Sequence, residues 1–318
     1  MKNSTLPLVT IGAVNYNCVR FVLETLESIR LQTYPNIELI IVDDCSTDGS
    51  LDIIITWLKE YTMPYRLIIH KENKGLKAGL EDILNCASGK YLSLISTDDI
   101  LIFDKIDDQV KLIESFDNEV GLVYGDSMMI DENGKIIHNS MFQYYRGENF
   151  VPPSGNVFRD IVNDFYFYSQ ASLINLELLK KSEFTLDNNI ISEDWDMQLC
   201  LSRNYEIYGQ NKICTKYRRV SNSITASNWN ELKMHKVWKS HLYMFNKYLK
   251  SPLNTKSDNI ILLDKIRLLY WKLFESKSFT RQEKVKYFYV IFKQTKTIRN
   301  LLILIKISLS CIISNILR

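Results

Sequence analysis

The sequence predicts an α/β fold in which a mostly parallel, Rossmann-like sheet carries helices on its faces, followed by an α-helical C-terminal region. Three observations predict it. Short β-branched and apolar runs alternate with stretches of helical periodicity from residue 8 to residue 116, and strand and helix alternating at that pace build right-handed βαβ units. The central run at 92–95 is apolar throughout rather than alternating, as a strand covered on both faces is. After Trp229 the pattern changes to long helical periods with scattered lysines. The chain therefore divides into a sheet domain, 1–228, and a helical region, 229–318.

The totals set the frame. With 318 residues, 46% hydrophobic and 24% charged, the chain can bury a sizeable core. A net charge of +2 gives no nucleic-acid signal. The six cysteines lie far apart with no CxxC pair, which fits reduced thiols in a cytoplasmic setting and neither a disulfide frame nor a zinc site. A strand-like segment begins almost at once, with no charged-then-apolar leader, so no signal peptide is expected.

In order, residues 8–14 read as a buried strand and 15–17 as a turn. Between 19 and 32, Val22, Leu26 and Ile29 share one helical face. Residues 37–42 are a second strand, 43–50 a polar loop, 50–61 a helix, and 66–70 a third strand. Asn73-Lys74-Gly75 is a turn, and a helix runs on to Ala87. The fourth strand ends abruptly in Ser96-Thr97-Asp98-Asp99. Adjacent carboxylates at the carboxyl end of a parallel strand face the ligand crevice of such sheets and suit a hard divalent cation carrying a phosphorylated substrate. An acid pair there also caps the next helix. The first turn, Val14-Asn15-Tyr16-Asn17-Cys18, has no GxGxxG, so a glycine loop is not what binds phosphate.

Further on, 104–116 is a helix, 121–126 a strand, and 128–137 a hairpin through Glu132-Asn133-Gly134, since Asn-Gly suits a primed turn. Residues 142–156 are aromatic and loop-like, a lid or an acceptor wall. Phe165-Tyr166-Phe167-Tyr168 offers rings for sugar faces or for the core. Glu193-Asp194-Trp195-Asp196 opens an amphipathic helix. Acids in a first turn favour the helix dipole, but three within four residues repel and raise a pKa, as a general base requires.

Val9-Thr10-Ile11 with Asn15-Tyr16-Asn17, then Ser28-Ile29-Arg30-Leu31-Gln32-Thr33-Tyr34-Pro35, then Asp43-Asp44-Cys45-Ser46-Thr47-Asp48-Gly49-Ser50 resemble the start of a family 2 glycosyltransferase with the GT-A fold. Residues 89–99 resemble that family's DxD region, and the resemblance extends to about residue 225. It implies an inverting transfer from a nucleotide-diphosphate sugar, UDP-linked by expectation, to a hydroxyl of an oligosaccharide or lipid-linked glycan in surface polysaccharide (capsule or O-antigen) synthesis. It implies that Tyr16 packs on the nucleotide base and that Asp44 accepts a hydrogen bond from the base imide, with Asp43 bracing the loop. It implies that Asp98 ligates Mn²⁺ or Mg²⁺, with Asp99 as a second candidate. Asp194 is then the base, Glu193 its neighbour, and Trp195 lies near the acceptor sugar. Each also has a plainer reading, Tyr16 as ordinary core and Asp44 or Ser46 as the cap of the next helix, against which the whole motif favours the functional one.

Three departures stand out: Ser96 replaces the first acid, Phe103 a usual proline, and Val220 the histidine of a Tyr-Arg-x-His-x-x-Ser segment beginning at Tyr217. The helix before strand four lacks a basic residue found in some relatives; Lys74 or Lys77 stands in for it or is simply solvated. Arg218 or Arg219 clamps the diphosphate or makes a salt bridge at the sheet edge. His235 is a structural helix histidine or a substitute for the missing one. Two rival classes remain, a sugar nucleotidyltransferase and a non-catalytic scaffold.

The last stretch, 301–317, follows a run of basic residues and is interrupted by Lys306, Ser308, Ser310 and Asn315, short of what a membrane span needs. Its apolar residues line one face, which suits peripheral contact with the cytoplasmic face of the inner membrane, docking on the catalytic domain, or a second copy in a homo-oligomer.

Overall fold

The computed structural model describes residues 6–165, 168–220 and 231–275, with 284–285, 288–290 and 293 beyond them. Tyr166 and Phe167, the end of the Tyr217–Thr225 segment, and the 301–317 stretch lie outside the described residues. Two compact units are distinguished: 1–186 with 197–226, and 187–196 with 227–318.

The first unit holds the sheet. Its opening elements are β1 (Val9–Asn15), α1 (Val22–Arg30), β2 (Ile37–Asp43), α2 (Ser50–Leu58), β3 (Tyr65–Ile69), α3 (Leu76–Cys86) and β4 (Tyr91–Ser96). Every residue of β1 is buried, because β2 and β4 flank it and helices cover it. Each fully buried Ile or Val, such as Ile11 or Val9, contributes roughly 1.5–3 kcal/mol over the exposed state. Gly12 allows the closest approach: a Cβ there would meet Ile83 Cγ2 at 2.5 Å, so α3 packs on β1 only because that side chain is missing.

Beyond β4 come β5 (Ile100–Leu101), α4 (Lys105–Glu114), β6 (Val120–Ile130), β7 (Ile136–His138), α5 (Met141–Arg146), α6 (Phe158–Asn163), β8 (Ser172–Asn175), α7 (Leu176–Lys181), α8 (Glu193–Asn204) and β9 (Glu206–Arg218). Among the described residues the nine strands run β3-β2-β1-β4-β8-β6-β9-β5, with β7 on β6. The first four are parallel, as the βαβ pattern requires. The second half is mixed: β8 is antiparallel to both β4 and β6, whereas β9 is parallel to β6. The hairpin at Gly134 forms between β6 and β7.

Three elements were not legible. Strand β9 is thirteen residues of largely half-buried polar and apolar side chains with no clean alternation. Strand β8 is only four residues long. The stretch expected to be loop from 142 begins as α5, capped by Ser140, whose Oγ accepts from Gln143 N at 3.0 Å.

The register positions the site. Asn15 pairs with Asp43, and Val14 pairs with Ser96, so the carboxyl ends of β2, β1 and β4 stop at one level. The chain leaves β1 toward β2 and β3 on one side and returns to β4 on the other. That makes the β1/β4 boundary the topological switch point, where open α/β sheets bind ligands.

In the second unit, α9 (Glu231–Leu249) and α10 (Lys256–Glu275) contribute Met244, Phe245, Tyr248, Leu262, Ile266 and Leu269 to a buried apolar set. No helix among the described residues is long and apolar enough to cross a membrane.

Candidate functional site

The rim of the sheet is built on Asn15, which is fully buried. Its Nδ2 donates to Asp43 Oδ1 at 2.6 Å, to Ser50 Oγ at 2.9 Å and to Ser46 Oγ at 3.0 Å. Its Oδ1 accepts from Thr97 Oγ1 at 2.6 Å. One amide thus ties the loop after β2, the start of α2 and the loop after β4 to the end of β1. The backbone repeats the pattern: Asp44 N donates to Asn15 O, and Thr97 N to Val14 O. Further bonds run from Asn17 N to Ser46 Oγ and from Val19 N to Asp48 Oδ2. The sequence reading placed Asn15 merely in a turn. The available signal was a polar amide closing a fully apolar strand.

Tyr16 follows at the rim and is 49% exposed, which removes the core alternative. Asp43 braces the loop as expected, accepting from Asn15 and from Ser46 N at 2.9 Å. Asp44 is 2% exposed. Its Oδ1 accepts from Lys74 N at 2.8 Å and faces His70 Nδ1 at 2.7 Å, while Oδ2 accepts from Gly75 N at 2.7 Å. A carboxylate has about four acceptor positions, so one on Oδ2 remains among the described residues. Gly75 makes this turn possible, with φ at +83°, a conformation an L side chain adopts only with strain. Burial alone would raise the Asp44 pKa, but the hydrogen bonds from His70, Lys74 N and Gly75 N outweigh it and hold the group ionised. Lys74 reaches Asp44 through its backbone, and Lys77 lies half-buried in the first turn of α3.

The acid pair after β4 separates into two environments. Asp98 is half-buried, and among the described residues its carboxylate accepts no hydrogen bond and forms no ion pair. Asp99, the second metal candidate, is turned inward: it is 3% exposed and its Oδ1 accepts from Arg218 N at 2.8 Å. Burial, reinforced by the neighbouring Asp98 charge, pushes its pKa well above the usual carboxylate range. An enclosed carboxyl that already accepts from a backbone N–H has little surface to offer a cation. Among the described residues no three His, Cys, Asp or Glu side chains converge as a metal site. Mg²⁺ and similar hard ions are commonly held by one or two carboxylates plus substrate phosphates, and the unpaired Asp98 fits that kind of site.

Arg218, expected as a diphosphate clamp, is corrected by its surroundings. It is 2% exposed. Its Nε donates to Asp98 O at 2.8 Å and one terminal nitrogen to Asp131 O at 3.3 Å; the other pairs with Glu24. The guanidinium also lies over the Phe21 ring at 4.8 Å. Each of its three nitrogens has a protein partner and the side chain is buried, so Arg218 shapes the Asp98-Asp99 turn and presents no exposed fork to a ligand. Arg219 is exposed.

The second chemical centre lies in the second unit. Asp194 is half-buried, and desolvation pushes its pKa up to about 6 despite the 2.8 Å hydrogen bond from Trp195 N. Repulsion among three acids was the expected cause; desolvation is the actual one. Asp196 is paired separately with Lys247 at 2.9 Å and accepts from the Tyr248 hydroxyl at 2.7 Å. Glu193 is half-buried beside them in the first turn of α8. Trp195, expected near the acceptor, packs edge-on against His241 and Phe245, with centroids at 4.9 and 5.4 Å. Burial lowers the His241 pKa to about 4, with Lys272 adding to the shift, so the imidazole beside Trp195 is neutral. Its Nε2 lies 2.9 Å from Ser192 Oγ. His235 is buried in α9.

The family model for glycosyl transferase family 2 matches residues 10–180. The chain is 25% identical over 237 residues to the Bacillus subtilis (strain 168) glycosyltransferase TuaG, assigned by name to teichuronic acid biosynthesis, covering 73% of this chain and 86% of that one. It is 24% identical over 228 residues to the Escherichia coli enzyme WfgD, a UDP-Glc:alpha-D-GlcNAc-diphosphoundecaprenol beta-1,3-glucosyltransferase, covering 71% and 83%. Residues 1–349 of Staphylococcus aureus TarS, solved in complex with UDP-GlcNAc, share the fold with a TM-score of 0.67 at 16% identity, covering 90% of this chain and 81% of that one.

The assignment of Arg218 yields a test. Arg218→Met strands the Asp98 and Asp131 carbonyls and is expected to lower stability by about 2–4 kcal/mol in urea unfolding. Arg218→Lys is expected to lower stability before it changes UDP affinity. Unchanged stability with a selective loss of UDP binding would restore the phosphate-clamp role.

Proposed function

The chain belongs to glycosyl transferase family 2 and is a glycosyltransferase; from that premise we propose that it moves a sugar, with inversion, from a UDP-sugar to a hydroxyl of a lipid-linked glycan in surface-polysaccharide synthesis. The observation that carries the reading is the rim at the β1/β4 switch point, where the exposed Tyr16 ring, the ionised Asp44 and the unpaired Asp98 carboxylate sit on loops tied to one amide. These three supply a stacking face, an acceptor for a base N–H, and a cation ligand. TarS bound to UDP-GlcNAc and the UDP-Glc in the name of WfgD support the uridine donor. The names of TuaG and WfgD support a surface glycan and a diphosphate-linked acceptor.

In this reading Tyr16 and Asp44 hold the base, and Asp98 is the residue that would hold Mn²⁺ or Mg²⁺. When bound, the ion supplies electrostatic stabilisation of the departing nucleoside diphosphate. Asp194 accepts the proton of the acceptor hydroxyl, whose oxygen attacks the anomeric carbon as the bond to the diphosphate oxygen breaks on the opposite face. One displacement inverts the centre. A base with a pKa near 6 is ionised at neutral pH yet still basic enough to take up a proton. Glu193 is its neighbour in the helix turn, and Ser96 leaves the rim with one charge fewer than the full family pattern.

Asp194→Asn is expected to reduce kcat by about 10²–10⁴-fold with UDP affinity unchanged. Because the ionised form is the base, wild-type transfer should fall as pH drops through about 6. A normal turnover rate in Asp194→Asn removes the residue from the reaction. UDP binding by calorimetry should require Mn²⁺ or Mg²⁺ and weaken in Asp98→Asn; full affinity in EDTA contradicts the metal role. A non-catalytic scaffold would show no metal-dependent hydrolysis of any UDP-sugar.

A further inference from the structure

His70 sits just past the end of β3 with 6% of its surface exposed. Both ring nitrogens face carboxylates: Nδ1 is 2.7 Å from Asp44 Oδ1 and Nε2 is 2.7 Å from Asp82 Oδ2. A neutral imidazole has one N–H and one lone pair, so it would satisfy one of these carboxylates and repel the other. Only the imidazolium donates to both. Asp44 itself carries the reading as the nucleobase acceptor, and among the described residues His70 is the only side chain that hydrogen-bonds to it.

We propose that His70, held as an imidazolium between Asp44 and Asp82, is a positioning residue for nucleobase selection, keeping Asp44 ionised and aimed so that the site accepts bases bearing an imide N–H and rejects those presenting a ring-nitrogen lone pair. This rests on the reading of Asp44 as the base acceptor. An ionised carboxylate only accepts hydrogen bonds, so it rewards the N3–H of uracil and opposes the N3 lone pair of cytosine. A protonated or rotated Asp44 would lose that distinction. Burial disfavours the imidazolium, but the two carboxylates outweigh both burial and the nearby Lys74 charge, and the His70 pKa lies above its ordinary value. The sign follows: the interaction is fully present below the ordinary histidine pKa and is lost as pH rises through the raised one. The charged groups facing the ring are Asp44 from the end of β2, Asp82 from α3 and Lys74 from the intervening turn.

The test uses the full chain, with UDP and CDP titrated calorimetrically in the presence of Mn²⁺ from pH 6 to 9. In His70→Gln, UDP affinity at pH 7 should fall about five- to tenfold, the UDP-over-CDP preference should shrink, and kcat at saturating donor should stay within about twofold. Wild type should lose affinity with rising pH at an inflection that His70→Gln lacks; the titration of the uracil imide is common to both. Nitrogen-detected NMR of the histidines should show both His70 nitrogens protonated at pH 7, a readout that needs no variant. Asp82→Asn removes only the outer carboxylate and should move the inflection to lower pH. Wild-type UDP affinity and preference in His70→Gln, or a neutral His70 at pH 7, overturns the proposal. The base-acceptor reading is tested separately by Asp44→Asn: unchanged UDP affinity there overturns that reading, and this proposal with it, even if His70 is found protonated.

Discussion

The side-chain amide of Asn15 is the interaction on which the first unit's chemistry depends. Backbone pairing brings β1, β2 and β4 to a common level, but it says nothing about the loops beyond them. The amide does, because it has donors on one side for Asp43, Ser46 and Ser50 and an acceptor on the other for Thr97. No other uncharged side chain of that size offers both in one plane. Removing it would orphan buried partners on two loops, at roughly 1–3 kcal/mol for each unsatisfied group. Tyr16, Asp44 and Asp98 each lie one residue beyond a member of this network.

Environment sorts acids that look alike in the sequence. Asp43 and Asp44 are adjacent, yet one braces Asn15 while the other gathers two backbone N–H groups and an imidazolium. Asp98 and Asp99 are adjacent, yet among the described residues the Asp98 carboxylate accepts no hydrogen bond and forms no ion pair, whereas Asp99 is buried and accepts from Arg218 N. In the second unit, Asp196 is paired with Lys247 and accepts from Tyr248, whereas Asp194 keeps a raised pKa through desolvation. In each pair the neighbour absorbs the structural work, which leaves a group suited to ligand or proton.

Much of this was legible. The βαβ half was readable because fully buried strands need continuous apolar runs and their polar ends need water or ligand. The positions of Tyr16, Asp44, Asp98 and Asp194 came from residues and resemblance together. What failed to show has physical reasons. Strand β9 is half-buried along its length, so its side chains carry no two-residue period. Arg218 has the right chemistry for a phosphate, and only three-dimensional packing reveals that carbonyls and Glu24 already take its donors. Trp195 could serve a sugar or a helix, and the ring contacts show it on His241 and Phe245 of α9. His70 was invisible because its two carboxylates come from positions 26 residues before and 12 residues after it in the chain.

Asn15 joins three loops distant in sequence into one rim, which the proposed function makes the nucleotide site. Backbone hydrogen exchange of the full chain, with and without UDP and Mn²⁺, tests this directly. The nucleotide is expected to slow exchange together at residues 15–17, 44–50 and 97–99. Protection confined to one of these loops, or appearing elsewhere in the chain while all three stay unchanged, would contradict it.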